Sequence, residues 1–296
     1  MPNTLNGINL AKVANKSLDF MARSFLPLRS FHRDFSEDLV DQGASVTTRV
    51  PVAVTSVDVS AGYTAQNVQS TPITITLDQN PGFPWAFTDA EIYKAANNFD
   101  WLMKIFVQPA TESVLKAFMD YSLGKVTAAN FPSSLTKTAA QWDADAMADA
   151  GVTLSTNKAA KAERAAIMLP TYYGNVAKDA VVEQLNTSGS TDALRELKIN
   201  RIRGFDTHDY TDVPNNGENL AGVCLHPSAL CMAARSQIVP PDFMGRIQNV
   251  TEPVTGLPLQ WRIWYDLNNK KTMMCVEALF GVSVGNANAA VRIKSA

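Results

Sequence analysis

Residues 99–124 read FDWLMKIFVQPATESVLKAFMDYSLG, and this stretch decides the fold. Its second half carries apolar residues at helical spacing on one stripe: Val107, Ala110, Val114, Ala117, Phe118 and Tyr121. Thr111 lies mostly off this stripe, and Glu112 with Lys116 is a favourable i,i+4 pair. Pro109 requires a kink or a place in the first helical turn, with a short helix over 88–97 before it. Since the flanking sequence is mostly β-like or irregular, we predict a helical strut against which sheets pack.

Composition restricts the class of protein. A chain of 296 residues with 46% apolar residues can bury a core and is long enough for about two domains. Its charged fraction of 18% is below the roughly 25% of ordinary soluble domains, so we expect extensive protein contacts. The net charge of −2 gives no global reason for nucleic-acid binding. The sequence shows no membrane span and no signal peptide, so its three cysteines are expected to be reduced thiols.

Residues 1–40 are predicted to form an arm. A short amphipathic helix is indicated by Leu10, Val13, Ala14, Leu18 and Met21, and Pro27 is expected to end any helix. The arm is locally basic through Lys12, Lys16, Arg23, Arg29 and Arg33. The simplest interpretation of these cations is a solvated helix face.

Two strand-like runs follow the arm and predict a long hairpin. Val46, Val50, Val52 and Val54 share one parity in the first run, as do Ile73, Ile75 and Leu77 in the second. A polar tip, 56–70, lies between them, and Pro51 places its strand at an edge. No cover for the alternating face is evident within the loop, so we predict that residues 45–78 pack on an adjacent subunit.

The remaining elements alternate between helices and strands and give an α+β class. The predicted helices cover 141–150, 170–184 and 227–235; the predicted strands cover 165–169, 194–206, 220–225, 260–265 and 272–284. Residues 215–217 form a turn, 240–241 a break, and 266–270 a hairpin turn. Strand 272–284 is apolar on both sides, so we expect it to be covered on both faces.

Candidate chemistry is sparse. Asp206, His208 and Asp209 crowd together and could form a general-base site, with a polar strand end as the alternative. Cys224 and Cys231 are seven residues apart with His226 between them. Metal sites prefer tighter pairs and need about four ligands, so these cysteines are predicted to be small core residues and His226 to start a helix. We therefore predict no catalytic, metal or cofactor-binding residues.

The order of the pieces resembles the major capsid proteins of tailed phages, whose fold is named after phage Hong Kong 97. The resemblance covers nearly the whole chain and is closest to short-tailed-phage coat proteins that lack the insertion domain of the enteric-phage branch. Short segments of the sequence resemble segments of those coat proteins in the same order. These segments are His32-Arg33-Asp34-Phe35, Gly43-Ala44-Ser45-Val46, residues 72–77, Phe87-Thr88, Gln108-Pro109-Ala110, Gly204-Phe205-Asp206, Asp212-Val213-Pro214, residues 225–229, Trp264-Tyr265-Asp266, residues 278–282 and residues 290–293.

The resemblance implies an α+β Hong Kong 97-like fold with an N-terminal arm (1–40) and an extended loop (41–86). A peripheral domain with a long spine helix (87–130 and 251–296) and an axial domain (131–250) would follow. It implies a non-enzymatic shell protein that self-assembles as hexamers and pentamers into an icosahedral virion capsid around double-stranded DNA, made in the host cytoplasm. Its implied partners are other copies of itself, a portal protein, the DNA through non-specific contact and, in some shells, a decoration protein, with no membrane.

Two further expectations concern assembly. Some capsids of this fold cross-link lysine to asparagine, but Arg49 is the single basic residue in 45–78 and is a poor nucleophile, so we predict a non-covalent shell. Residues 1–40 are too short for a coiled-coil scaffold of several heptads, so we predict a separate scaffolding protein. Three alternatives stay open: an encapsulin-type compartment of the same fold, a hydrolase-like enzyme using Asp206, His208 and Asp209, and an adhesin or tail component.

Overall fold

The computed structural model describes residues 25–51, 54–60, 62–63, 65–89, 91, 108–183, 199, 201–251 and 257–296. The strands are β1 His32–Val40, β2 Ser45–Pro51, β3 Ser70–Thr76, β4 Gly82–Thr88, β5 Ser134–Thr136, β6 Ala165–Met168, β7 Arg201–Ile202, β8 Phe205–Asp209, β9 Leu220–Leu225, β10 Leu230–Gln237, β11 Gly245–Thr251, β12 Pro258–Asp266, β13 Lys271–Glu277, β14 Leu279–Val284 and β15 Ala290–Lys294. The helices are α1 Gln108–Gly124, α2 Ala144–Thr156, α3 Pro170–Ala177 and the single turn α4 Ala180–Glu183.

The described strands form four sheets, and the predicted α+β class is confirmed. The largest sheet has the order β5-β15-β9-β6-β8-β7, and a four-stranded sheet has the order β11-β12-β13-β4. A three-stranded sheet, β1-β10-β14, lies between the hairpin β2-β3 and the rest of the core. One apolar core joins α1 to residues of the six-stranded and three-stranded sheets.

Helix α1 is the predicted strut, but it is buried more broadly than its stripe. Ala110, Val114 and Phe118 are buried as predicted, and so are Leu115, Met119 and the polar residues Thr111 and Ser122, because the helix contacts strands of two sheets. The predicted Glu112–Lys116 pair is wrong. The Lys116 ammonium instead lies 2.8 Å from Asp120 and 3.2 Å from Asp212, both half-exposed. Residues 99–107 and most of the predicted helix 88–97 lie outside the described residues.

Residues 25–40 pack against the core of the described chain. Pro27 lies in the first turn of a 3-10 helix, Leu26–Ser30, and Phe25, Leu28 and Phe31 are buried around it. Strand β1 then pairs in parallel with β10, with His32 opposite Cys231. The predicted amphipathic helix around Leu10–Met21 falls outside the described residues.

The predicted hairpin exists, with Val46 opposite Ile75 and Pro51 opposite Ser70. At its root, which we define as 44–50 with 70–77, the apolar face is covered by the same subunit. Ile73, Ile75 and Leu77 pack against Cys231, Ala233 and Leu279 of the three-stranded sheet. The prediction that all of 45–78 packs on an adjacent subunit is therefore wrong for the root.

The root contacts β14 at very short range. A Cβ atom added to Gly281 would lie 2.0 Å from the carbonyl oxygen of Thr76, well inside any real contact distance. The absence of a side chain at this position is what allows the hairpin backbone to approach the sheet.

The predicted helix 227–235 is wrong. Pro227 begins a 3-10 turn, Pro227–Ala229, and the chain continues as β10. Residues 230–236 are all buried because β10 is the central strand between β1 and β14. Burial on both faces and two hydrogen-bonded neighbours override the helical propensity of Leu230, Met232 and Ala233.

Two predicted elements are divided in the structure. Strand 272–284 is interrupted at Ala278, so β13 belongs to the four-stranded sheet and β14 to the three-stranded sheet. The predicted helix 170–184 consists of α3 and the separate turn α4. The final strand β15 pairs with β9 and β5, which places the C-terminal residues in the six-stranded sheet.

Candidate assembly surfaces

The outer part of the hairpin, which we call the tip (54–69), exposes apolar side chains. Tyr63 is 94% exposed, Val68 77% and Val54 68%, and Val57 and Val59 are also exposed. Asp58 is the single charged residue in this segment. The backbone amide of Ser60 donates to the Asp58 carboxylate at 2.9 Å, and the Ser60 hydroxyl bonds to the same oxygen. These two bonds lower the pKa of Asp58, so the tip presents a fixed negative charge among valines.

A second apolar surface lies on the outer face of the four-stranded sheet. Residues opposite one another in antiparallel strands share a face, and two rows lie on this side: Pro84, Cys275, Arg262 and Ile247 in one, and Ala86, Met273, Trp264 and Gly245 in the other. Every one of these residues is partly or largely exposed. Met244, just before β11, is 89% exposed. The second face of β13, predicted to be covered, is half-buried against the described residues.

A polar cluster joins the hairpin exit to both neighbouring sheets. The Asn80 amide donates to the Gln237 side-chain oxygen at 2.8 Å, and the Arg262 guanidinium donates to the same oxygen at 3.2 Å. Gln260 donates to the Gln237 carbonyl at 2.9 Å. Arg262 also forms an ion pair with Glu277. Burial raises the pKa of the Glu277 carboxyl, and Arg262 opposes this rise. This cluster fixes the segment that connects the hairpin to β4.

The structure separates the predicted general-base residues. Asp206 and His208 alternate along β8 and line one cleft, whereas Asp209 lies on the opposite side, near Tyr173. Burial raises the pKa of Tyr173, and the charge of Asp209 adds to this shift. Burial lowers the pKa of His208, and the two aspartates oppose this shift. Asp206 instead lies 3.8 Å from the Arg201 guanidinium. Within the described residues no hydrogen bond joins His208 to either aspartate, so the imidazole lacks the orienting contact of a catalytic base.

The cysteines and His226 have structural roles. Cys224 is fully buried and free, and burial raises the pKa of its thiol to about 12. His226 accepts a hydrogen bond from the Ser228 amide at 3.2 Å and starts a 3-10 turn, which confirms its helix-start prediction. No group of three or more His, Cys, Asp or Glu residues in the described ranges could hold a metal ion. None of the described helices has the length and apolar character required to cross a bilayer.

The arrangement of helices, sheets and hairpin matches solved shell structures. The capsid structure of cyanophage P-SCSP1u is 14% identical, with 90% of this chain and 86% of that chain covered and a TM-score of 0.59. The mature capsid of bacteriophage PhiM1 is 11% identical, with coverages of 90% and 85% and a TM-score of 0.57. The chain has the Hong Kong 97-type capsid fold.

This fold also occurs in a virus-like particle from Pyrococcus furiosus. That chain is 14% identical, with 97% of this chain and 100% of that chain covered and a TM-score of 0.51. No family model and no curated protein matches this sequence. Because these identities are low, the likeness shows the fold, and the role of the chain is argued from its surfaces.

The hairpin was indicated by its alternating residues, but its outer part, 56–70, was predicted to be polar, so the exposed valines and Tyr63 of the tip were missed. The outer face of the four-stranded sheet was missed as well. The part of the sequence that could have indicated this face is the alternate set of residues along β13, Met273 and Cys275. Both are apolar, so the pattern indicates burial. The register with β12 and β4 places these residues on one face, which the described residues cover in part through the contact of Phe243 with Trp264.

Proposed function

We propose that this chain is a major capsid protein whose copies assemble as hexamers and pentamers into an icosahedral shell around double-stranded DNA. The observation that carries the proposal is the hairpin of a capsid fold, fixed at its root by its own subunit and exposing five apolar side chains at its tip. A subunit with this surface gains stability by burying the tip against a neighbour. The role is structural, and the location is the virion.

The proposed contact is heterologous, because the tip of one copy meets a different surface on the next. Contacts of this kind close into rings when the rotation between copies allows it. Burying apolar surface is worth roughly 25 cal/mol per Å², so one tip supplies a modest energy and a closed shell sums many of them. The low charged fraction of 18% agrees with a surface largely covered by other copies.

We also propose a division of the chain into functional regions. The extended loop is 41–86. The peripheral region is 87–130 and 251–296, which hold α1 and the strands β12 and β13 of the four-stranded sheet. The other two strands of that sheet, β4 and β11, come mostly from the neighbouring ranges. The axial region is built from 131–250, to which β15 adds a strand. Residues 1–40 form the arm, whose last part, β1, is paired with β10.

The test replaces the tip valines with a polar residue of similar size. A variant carrying Val54→Thr, Val57→Thr, Val59→Thr and Val68→Thr is compared with the native chain by electron microscopy and sedimentation. We expect folded subunits that form few closed particles. Val152→Thr is the matched control, since Val152 is 65% exposed on α2, far along the chain from the hairpin, and should leave assembly normal. Particles of normal yield and size from the tip variant would contradict the proposal.

Assembly partners are proposed in addition to self-association. An independent scaffolding protein sets curvature during assembly and then leaves, a portal protein occupies one vertex, and DNA is held by non-specific contact. Expression of the chain alone tests the scaffold. Aberrant shells, sheets or free subunits that a co-expressed protein from the same genome rescues would support it, and uniform shells of native size would refute it.

A cellular compartment shell is the second candidate function. This second candidate is supported by the structural match to the virus-like particle from Pyrococcus furiosus, which covers 100% of that chain. The contents of purified particles discriminate between the two candidates. Packaged DNA supports the capsid, and enclosed enzymes without a genome support the compartment.

A further inference from the structure

Two of the three histidines of the chain line one cleft, and the third adjoins a residue that lines it. His32 and His208 line a cavity of about 610 Å³, and His226 precedes Pro227, which also lines it. The cleft lies between two parts of the fold. One wall is the 3-10 turn Leu26–Ser30 with the start of β1, and the other is the end of the six-stranded sheet where β6 and β8 begin and β9 ends.

The two walls carry opposite and titratable charges. The groups that face the cleft or adjoin it from each packed element are Arg29, His32 and Arg33 from the turn and β1; Glu163 and Arg164 from the segment before β6; Arg201, Asp206, His208 and Asp209 from β7 and β8; and His226 from the end of β9. Among the residues that line the cavity, Arg29 and Arg33 lie on one wall and Glu163 and Asp206 on the other, and Asp206 also pairs with Arg201 at 3.8 Å. Each protonated histidine adds a positive charge to the cleft.

The turn on the first wall is a 3-10 helix, Leu26–Ser30, and the Leu28 amide donates to the Phe25 carbonyl at 3.1 Å where it begins. Its hold on the body comes from the buried side chains of Phe25, Leu28 and Phe31. Strand β1 beyond it is an edge strand, paired on one side with β10.

The folded subunit favours neutral imidazoles in the cleft. Burial lowers the pKa of His208, against the opposing charges of Asp206 and Asp209. Burial also lowers the pKa of His226; Glu163 opposes this shift and Arg164 adds to it. A histidine whose folded pKa is depressed contributes stability that is present above its unfolded value of about 6.5 and is lost as the pH falls below it.

We propose that this cleft is a pH-sensitive joint. Protonation of His208 and His226 below about pH 6.5 separates the turn Leu26–Ser30 and the start of β1 from the six-stranded sheet, while the rest of the core stays folded. The chain thereby couples the position of its N-terminal segment to acidity. The joint is a property of the single subunit, and its failure would leave the capsid proposal untouched.

Hydrogen–deuterium exchange of the full-length, unassembled subunit tests the joint at pH 7.5 and 5.5, with rates corrected for intrinsic chemistry. Peptides covering 25–40 are compared with peptides covering 144–156 of α2. We expect exchange in 25–40 to rise several-fold at pH 5.5, up to about tenfold for each pH unit and proton taken up, with little change in α2. The double variant His208→Gln and His226→Gln should lose this response, and His32→Gln, at the exposed rim, should keep it.

Two results would overturn the proposal: an unchanged acid response in the double variant, or equal acid-induced exchange in 25–40 and α2. If the double variant fails to fold, NMR titration of the three imidazoles in the native chain decides the question. His208 and His226 titrating together with the exchange transition supports the joint. An opened turn with both imidazoles still neutral refutes it.

Discussion

The aromatic rings of Phe118 and Phe280 pack with their centroids 4.2 Å apart and their planes inclined by 56°. Phe118 belongs to α1 and Phe280 to β14, and both are essentially inaccessible to solvent. Tyr121, one turn further along α1, meets Phe280 at 5.8 Å, edge to face. This contact joins the helical strut to the three-stranded sheet on which the hairpin root rests.

Truncating this contact should destabilise the subunit strongly. We expect Phe280→Ala to lower the free energy of unfolding by about 3–5 kcal/mol, since it removes a fully buried ring and leaves a cavity. Urea unfolding followed by circular dichroism measures the change. Phe83→Ala, at a position 44% exposed, is the control and should cost clearly less. Equal losses at the two positions would show that burial does not determine the effect.

Adding one methyl group at Gly281 should disturb the hairpin root. Gly281→Ala would place a Cβ 2.0 Å from the Thr76 carbonyl oxygen, so the hairpin or β14 must shift, at a cost of about 1–3 kcal/mol. Gly124→Ala is the matched control, because nothing lies within 4 Å of its added Cβ and the helix gains a better former. Thermal unfolding of both variants checks the prediction. It is wrong if Gly281→Ala is as stable as the native chain.

The Glu277 carboxyl should make stability depend on pH. Burial raises its pKa above the usual value, although Arg262 opposes the shift. The folded chain therefore binds a proton more readily than the unfolded chain, and this group's contribution to stability falls as the pH rises from about 4.3 through the raised value. Glu277→Gln should remove this dependence of the unfolding free energy on pH. The stability of the variant should therefore increase relative to that of the native chain as the pH rises from 4.5 to 7.

The test compares how the free energy of unfolding changes with pH in the native chain and in the variant. Its absolute value is not compared, because loss of the carboxylate opposite Arg262 changes it by an offset at every pH. Urea unfolding at several pH values gives both quantities. The same substitution at exposed Glu112 is the control. A native chain and a Glu277→Gln variant with parallel pH profiles would contradict the prediction.

The cysteines should react slowly in the native subunit. Burial raises the pKa of Cys224 to about 12 and that of Cys231 in the same direction, and burial together with Glu277 raises the pKa of Cys275 to about 11. Thiolates are the reactive species, so a chromogenic disulfide reagent at pH 8 should modify the folded subunit slowly. Under denaturing conditions all three thiols should react at once. Rapid reaction of a full equivalent in the native state would refute this.

The shell should be held together without covalent links. Arg49, the single basic residue of 45–78, bonds to the Ser70 hydroxyl at 3.1 Å, and a guanidinium does not act as the nucleophile of an isopeptide bond. Denaturing gels of purified particles should show one band at the mass of the single chain. Ladders of linked subunits would overturn this prediction.

Local patterns in the sequence predicted much of the fold. The alternation of Ile73 and Ile75 predicted β3, and the helical stripe through Ala110 and Phe118 predicted α1, because each pattern reflects burial on one side. Residues 230–237 could not be assigned this way. Leu230, Met232 and Ala233 favour a helix in isolation, and the strand exists because β1 and β14 hold it on both sides, which is long-range information.

The candidate surfaces were predicted only in part. The tip was predicted to be polar because its serine, threonine, asparagine and glutamine residues outnumber its valines. The cover of the root by Cys231 and Leu279 depends on how distant strands meet. The break at Ala278 could not be predicted, since an apolar run gives no sign of leaving one sheet for another. The presence of His32 and His208 in one cleft likewise depends on two strands, β1 and β8, that are far apart in the sequence.

The close approach at Gly281 has a mechanical consequence. The hairpin is fixed at its root against its own subunit and carries its exposed apolar side chains at the other end. In the proposed shell the same contact must form in rings of five and in rings of six, where neighbours meet at different angles. The proposal therefore assigns the adjustment between the two angles to the tip, while the core packing at the root stays the same.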